Sequence, residues 1–225
     1  MKFGIFIYEG CEPIDLATFG VLSMARRVAP QIEILTLAPQ AGIVNFSNGL
    51  KVIADHSLAE APLCDVIVVT GGPGWQRQAA DPGVQAFFRA RGADTQLASV
   101  CTGGMILAAA GVLDGKQATT KCEVVEPEIS PLSILRNHYP EIRVEHASVV
   151  DAGTVVTGGG VSLCIDVMLH LLKTRIGPEV AAETARILEY TRAWEANRQG
   201  LPPIEQTNHD QNASTRIRSA HPVQD

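Results

Sequence analysis

No Cys-x-x-Cys pair occurs in the chain, and its five cysteines, Cys11, Cys64, Cys101, Cys122 and Cys164, are scattered and odd in number. That pattern excludes a disulfide framework and offers no zinc-finger spacing, so reduced thiols are expected. No apolar run reaches the roughly 18 residues that would span a bilayer. The N-terminus Met1-Lys-Phe-Gly-Ile-Phe-Ile-Tyr8 is short and soon followed by Glu9 and Glu12, unlike a signal peptide, so a soluble, cytoplasmic protein is expected. Excess positive charge is missing too: 18 Lys and Arg face 24 Asp and Glu, a formal net charge of −6. A phosphate backbone or an anionic bilayer finds no counter-charge, and neither nucleic acid nor membrane is an expected partner. Glycine-rich loops are present, but none ends in Gly-Lys-Ser/Thr or reads Gly-x-Gly-x-x-Gly at a helix start, which removes the usual phosphate and dinucleotide cradles. His138, His146 and His170 show no paired spacing with carboxylates, so no metal or other cofactor is expected.

What is there is ample core. With 225 residues, 46% hydrophobic, one domain suffices. Apolar runs at Lys2–Tyr8, Gln31–Ala38, Asp65–Thr70, Gln96–Val100, Ala118–Thr120, Arg143–Val150 and Thr154–Thr157 read as strands. Ile43–Ile53 reads as a hairpin turning at Asn48-Gly49. Between these runs, helices are expected over Pro13–Val28, Asp81–Arg91, Thr102–Ala110, in pieces over Cys122–His138, then Val161–Arg175 and Pro178–Ala196. The alternation predicts an α/β fold, a doubly wound, mostly parallel sheet sandwiched by helices. Residues 1–196 form the domain, and the polar stretch 197–225 is expected to be a poorly ordered extension or to pack on a partner.

In such a sheet ligands bind beyond the carboxyl ends of the strands, which selects three loops: Glu9–Asp15, Gly71–Gly74 and Cys101–Gly104. Cys101 stands at a strand-to-helix joint, where the first helical N–H groups are unpaired and would lower a thiol pKa. Gly71 and Gly72 can bring backbone close to a ligand, and the N–H groups of Gly72 and Thr102 can make an anion hole. Asp15, between Ile14 and Leu16, either caps a helix or faces the pocket as an acid or base. Glu9 and Glu12 are expected in solvent, as is Lys121 unless it turns inward to lower the thiol pKa.

Pro13-Ile-Asp15-Leu, Val69-Thr-Gly-Gly-Pro-Gly74, Ala98-Ser-Val-Cys101-Thr-Gly, Ala109-Ala-Gly-Val-Leu-Asp-Gly115 with Ala118-Thr-Thr120, and Thr157-Gly-Gly-Gly160 with Ile165-Asp166 together resemble the ThiJ/PfpI superfamily over residues 2–195. The resemblance implies a flavodoxin-like fold of the class I glutamine amidotransferase-like type. The Cys-Thr-Gly elbow and Ile-Asp-Leu acid are similar to the isocyanide hydratase branch and to sensor domains of AraC-type regulators. Thr102 stands where peptidase-like members have a histidine, and Lys121 where other relatives have one. The resemblance therefore implies a lyase-type hydratase in which Cys101 attacks a small isocyanide, Asp15 supplies a proton, and Gly71, Gly72 and Thr102 position the adduct. It also implies a homodimer. The rival readings are a ligand-sensing or redox-sensing domain and a glyoxalase or deglycase acting on reactive carbonyls.

Overall fold

The first apolar run folds as β1, Lys2–Phe6, in the computed structural model, which describes residues 1–205. A 3₁₀ turn over Pro13–Leu16 leads into α1, Ala17–Ala25, and then β2, Glu33–Ala38. The expected hairpin is β3, Gly42–Asn45, and β4, Lys51–Ala54, and it turns with Asn48 and Gly49 at φ of 59° and 87°. β5, His56–Ser57, precedes β6, Val66–Val69. Next come α2, Trp75–Ala80, and α3, Pro82–Arg91, whose first turn is capped by the Asp81 carboxylate on the N–H groups of Gly83 and Val84. β7, Gln96–Ser99, runs through the cysteine elbow into α4, Gly103–Ala109. The second half holds β8, Gln117–Ala118; α5, Pro131–His138; β9, Arg143–Val144; β10, Val149–Asp151; and β11, Val155–Gly158. It closes with α6, Cys164–Arg175; α7, Pro178–Ile187; α8, Thr191–Gly200; and β12, Ile204–Glu205.

The main sheet has the order β12-β10-β11-β7-β6-β1-β2-β5. From β11 to β5 every pairing is parallel, while β10 runs antiparallel to β11 and carries β12 with it. Every side chain of β6 is buried, as a central parallel strand requires. α1, α6 and α7 pack together as one covering layer, and α2, α3 and α4 as the other. The loops after β1, β6 and β7 therefore leave neighbouring strands at the same sheet edge, the arrangement on which the site depends.

Several boundaries differ from expectation. No helix forms over 122–130, because Pro127 and Pro131 each remove a donor; only α5, with Pro131 in its first turn, survives. The run from Arg143 divides, since β9 leaves the main sheet to pair with β8 while β10 stays. The last helix breaks at Glu189, at φ 55°, into α7 and α8. α8 then passes the expected boundary at 196, and β12 docks on β10 with Glu205 held by Lys173 at 3.2 Å. Residues 206–225 of the expected extension lie outside the described residues. No helix among the described residues is long and apolar enough to cross a membrane.

Candidate functional site

Cys101 has φ of 51°, a left-handed conformation that costs a non-glycine residue roughly 1–3 kcal/mol. Two hydrogen bonds hold it there: its N–H donates to the Gly159 carbonyl at 3.0 Å, and its own carbonyl accepts from the Thr120 hydroxyl at 2.7 Å. The elbow lifts the thiol off β7 toward the loops after β1 and β6. These loops are closely fitted. A Cβ on Gly72, itself at φ 139°, would lie 2.3 Å from the Glu12 nitrogen, and one on Gly71 would lie 2.8 Å from Cys101 Cβ. Both glycines are therefore needed to bring backbone against the elbow.

Their N–H groups are already committed. Gly71 donates to Asp15 Oδ2 at 2.6 Å, and Gly72 donates to Thr102 Oγ1 at 2.8 Å. The anion hole expected from Gly72 is thus closed on the protein itself, because the Thr102 hydroxyl already accepts its N–H. The Thr102 N–H instead bears on the Cys101 thiol.

Asp15 is not the helix cap that its local sequence allows. Its carboxylate caps neither the 3₁₀ turn nor α1 but crosses to Gly71, with no exposed surface at all. Its second oxygen, Oδ1, is buried and has no hydrogen-bond partner among the described residues. Burial outweighs the Gly71 N–H and, with the Glu12 charge nearby, raises the Asp15 pKa to about 7.

The Cys101 thiol departs from the lowered pKa expected at a helix start. It is 3% exposed, and burial followed by the Asp15 charge pushes it up to about 12, against the smaller opposing effects of the Thr102 N–H and Lys121. The helix start does favour the thiolate, but desolvation beside a carboxylate is larger.

A pocket of about 640 Å³ opens over Cys101 and Thr102. Ile14, Trp75, Val124, Ile134 and Val161 give it apolar walls, and Glu12, Lys121 and Glu128 place charges on its lining. Lys121 therefore faces the site rather than open solvent, with its stem against Gly160. Glu12 also borders the pocket, and Glu9 is tied by its carboxylate to the backbone and side-chain nitrogens of Asn45 at 3.0 and 3.2 Å. Neither glutamate is the freely solvated group expected.

Sequence reasoning missed the buried neighbours of Asp15 and Cys101. Tyr8 donates to the Thr70 carbonyl at 3.1 Å and, fully buried, is close enough to Asp15 and Cys101 for their charges to raise its pKa beyond what burial does. Cys11 Sγ lies 3.0 Å from Thr70 Oγ1. The one available signal was a hydroxyl-bearing aromatic at the end of a buried strand, which reads equally well as core. His170 is buried, does not line the pocket over Cys101, and bonds Asp151 at 2.7 Å, fastening α6 to β10.

The chain is similar to an isonitrile hydratase of Pseudomonas putida, at 29% identity over 86% of this chain and 80% of that protein. It is also similar to the HTH-type transcriptional regulator GbdR of Pseudomonas aeruginosa, at 30% identity over 70% of this chain; the match spans only 41% of that regulator. Among solved structures, a ThiJ/PfpI family protein from Pseudomonas syringae superposes with a TM-score of 0.73 at 25% identity, covering 84% of this chain and 74% of that one. The family model for DJ-1/PfpI matches residues 1–174, the stretch that contains the elbow, Asp15 and both glycines, and the chain belongs to the DJ-1/PfpI family.

Proposed function

We propose that the protein hydrates small isocyanides to N-substituted formamides, with Cys101 as nucleophile and Asp15 as acid and base. The observation that carries this reading is the coupling of the strained Cys101 elbow to a fully buried Asp15 whose Oδ1 has no partner. The similarity to an isonitrile hydratase supports the substrate class. The reactive state is the pair with one proton. That proton rests mostly on sulfur, but in the minor form Asp15 holds it and Cys101 is a thiolate. The thiolate attacks the terminal carbon of the isocyanide while the Asp15 proton goes to the same carbon, forming a neutral thioimidate. Water then adds across the C=N bond, with Asp15 relaying a proton to nitrogen. The tetrahedral carbon expels Cys101 as the hydroxyl becomes the formyl C=O, and the pair regains its single proton. Thr102 positions the thiol through its N–H, and Gly71 orients Asp15. The apolar walls favour a hydrocarbon side group on the substrate.

The test is formamide production from a simple aryl or alkyl isocyanide by the purified protein and by Cys101→Ala; equal rates would remove the proposal. A second reading, a ligand-binding domain without turnover, is favoured by the likeness to GbdR and would show isocyanide binding in the same pocket with no formamide. The carbonyl-directed glyoxalase or deglycase reading has less support, because no histidine lines the pocket among the described residues. A homodimer is proposed from the resemblance, to be checked by light scattering.

A further inference from the structure

We propose that Cys122, Glu123 and His146 form a binding site for a divalent metal ion of the zinc class, separate from the Cys101 pocket. The thiol sulfur, a carboxylate oxygen and a ring nitrogen of these residues all lie within 4.8 Å of one another. Bonds of about 2.0–2.3 Å to one tetrahedral ion place its ligand atoms about 3.4–3.8 Å apart, so small side-chain rotations close the set. Thiolate, imidazole and carboxylate together suit a borderline-soft ion, and three protein ligands leave a fourth position for water.

The fold explains how residues so distant in sequence meet. β8 and β9 pair in parallel, Ala118 opposite Val144, and the Glu145 N–H extends the ladder to the Ala118 carbonyl. The two chains leave side by side, one carrying Cys122 and Glu123, the other His146. Their side chains border a cavity of about 290 Å³ that Thr120, Gly159 and Gly160 also line, ample for an ion and its water. Among the described residues none of the three side chains bonds another group; the polar contact nearby, from Lys121 Nζ, is to the backbone carbonyl of Glu123. Lys121 is the opposing charge beside this cluster, and its side chain also lines the Cys101 pocket. Histidine spacing alone hid this site, because its partners lie on a loop distant in sequence.

Occupancy would reach the elbow indirectly. Thr120 and Gly159, which border this cavity, are the groups that hold the Cys101 carbonyl and N–H. The segment after Glu123 supplies Val124, Glu128 and Ile129 to the other pocket, so an ion here would brace one of its walls.

The experiment is a Co²⁺ titration of the full chain after chelator treatment, in wild type, Cys101→Ala, Cys122→Ser and His146→Ala, with circular dichroism to verify folding. One equivalent of Co²⁺ should produce a thiolate charge-transfer band and tetrahedral d–d bands, both removed by added Zn²⁺. Cys101→Ala should leave the spectrum unchanged, and Cys122→Ser should lose the charge-transfer band. His146→Ala should weaken binding by at least the roughly 10–100-fold that follows loss of a supporting residue. Absence of the band in wild type, its survival in Cys122→Ser, or its loss in Cys101→Ala would overturn the assignment. None of these readouts depends on isocyanide turnover.

Discussion

Asp15 and Asp166 are both buried, at 0% and 2% exposure; burial raises the pKa of each, and each has an Oδ1 without a hydrogen-bond partner. Their surroundings separate them. Asp166, on α6, accepts from the Tyr190 hydroxyl at 2.9 Å and Asn197 Nδ2 at 3.0 Å, and so ties α6 to the link between α7 and α8 and to α8 itself. Asp15 accepts one backbone N–H and sits beside a thiol. Burial makes an acid unusual, but the donors around it separate the two: side-chain donors from beyond α6 make Asp166 a structural hub, whereas the single N–H on Asp15 fits the acid-base role proposed for it.

The sharpest break between the two regions is kinetic. Under the proposed chemistry Cys101→Ala abolishes formamide production, and Asp15→Asn lowers kcat/KM by roughly 10²–10⁴-fold, the usual worth of a positioned acid-base group. Asp166→Asn should leave kcat/KM within a few-fold. Equal losses from the two aspartate changes would show that burial of charge, not proton transfer, underlies the effect. The wild-type pH profile adds a second criterion. The pair is reactive with one proton, so kcat/KM should rise as pH passes about 7, where Asp15 ionises, and then level off. Asp15→Asn should remove that limb.

Stability should move the two regions in opposite directions. The native Asp15 carboxyl holds its proton up to about 7, against the ordinary 3.8. Between those values the folded state binds more protons than the unfolded chain, so this group's contribution falls as pH rises through the window. Once ionised, Asp15 costs the native state as much as about 4 kcal/mol. Asp15→Asn keeps an acceptor for Gly71 and loses the charge, so it should raise Tm at pH 8 and change little at pH 4. Asp166→Ala strands the Tyr190 hydroxyl and the Asn197 amide and should destabilise by about 1–3 kcal/mol at both. Thermal melts at the two pH values check the contrast.

The contrast also marks what the sequence could disclose. The parallel sheet, the cysteine elbow and the glycine pair were legible because strand periodicity, a strand-to-helix joint and a short loop are local patterns. Asp15 was legible only as a choice, since a cap and a site acid share the same local sequence, and contact with Gly71 depends on β1 lying beside β6. The thiol's raised pKa was hidden for a related reason: the helix start that favours the thiolate is local, while the burial and carboxylate that outweigh it are tertiary. The same holds for Tyr8 and for His146 beside Cys122, whose partners arrive from distant segments of the chain.

The smallest expected effect tests the coupling between Asp15 and Cys101 without any substrate. Alkylation proceeds through the thiolate, so at pH 7 Cys101 should react slowly with iodoacetamide, and the half-exposed Cys122 should be modified first. The Asp15 charge is second only to burial among the causes that hold the Cys101 thiol protonated. Removing that charge with Asp15→Asn should therefore speed Cys101 alkylation several-fold, as peptide mass spectrometry would read, even while turnover falls. Asp166→Asn should leave the Cys101 rate as it is in wild type. If both substitutions accelerate it alike, the thiol is responding to a general loosening of the fold, and Asp15 is a second structural acid like Asp166.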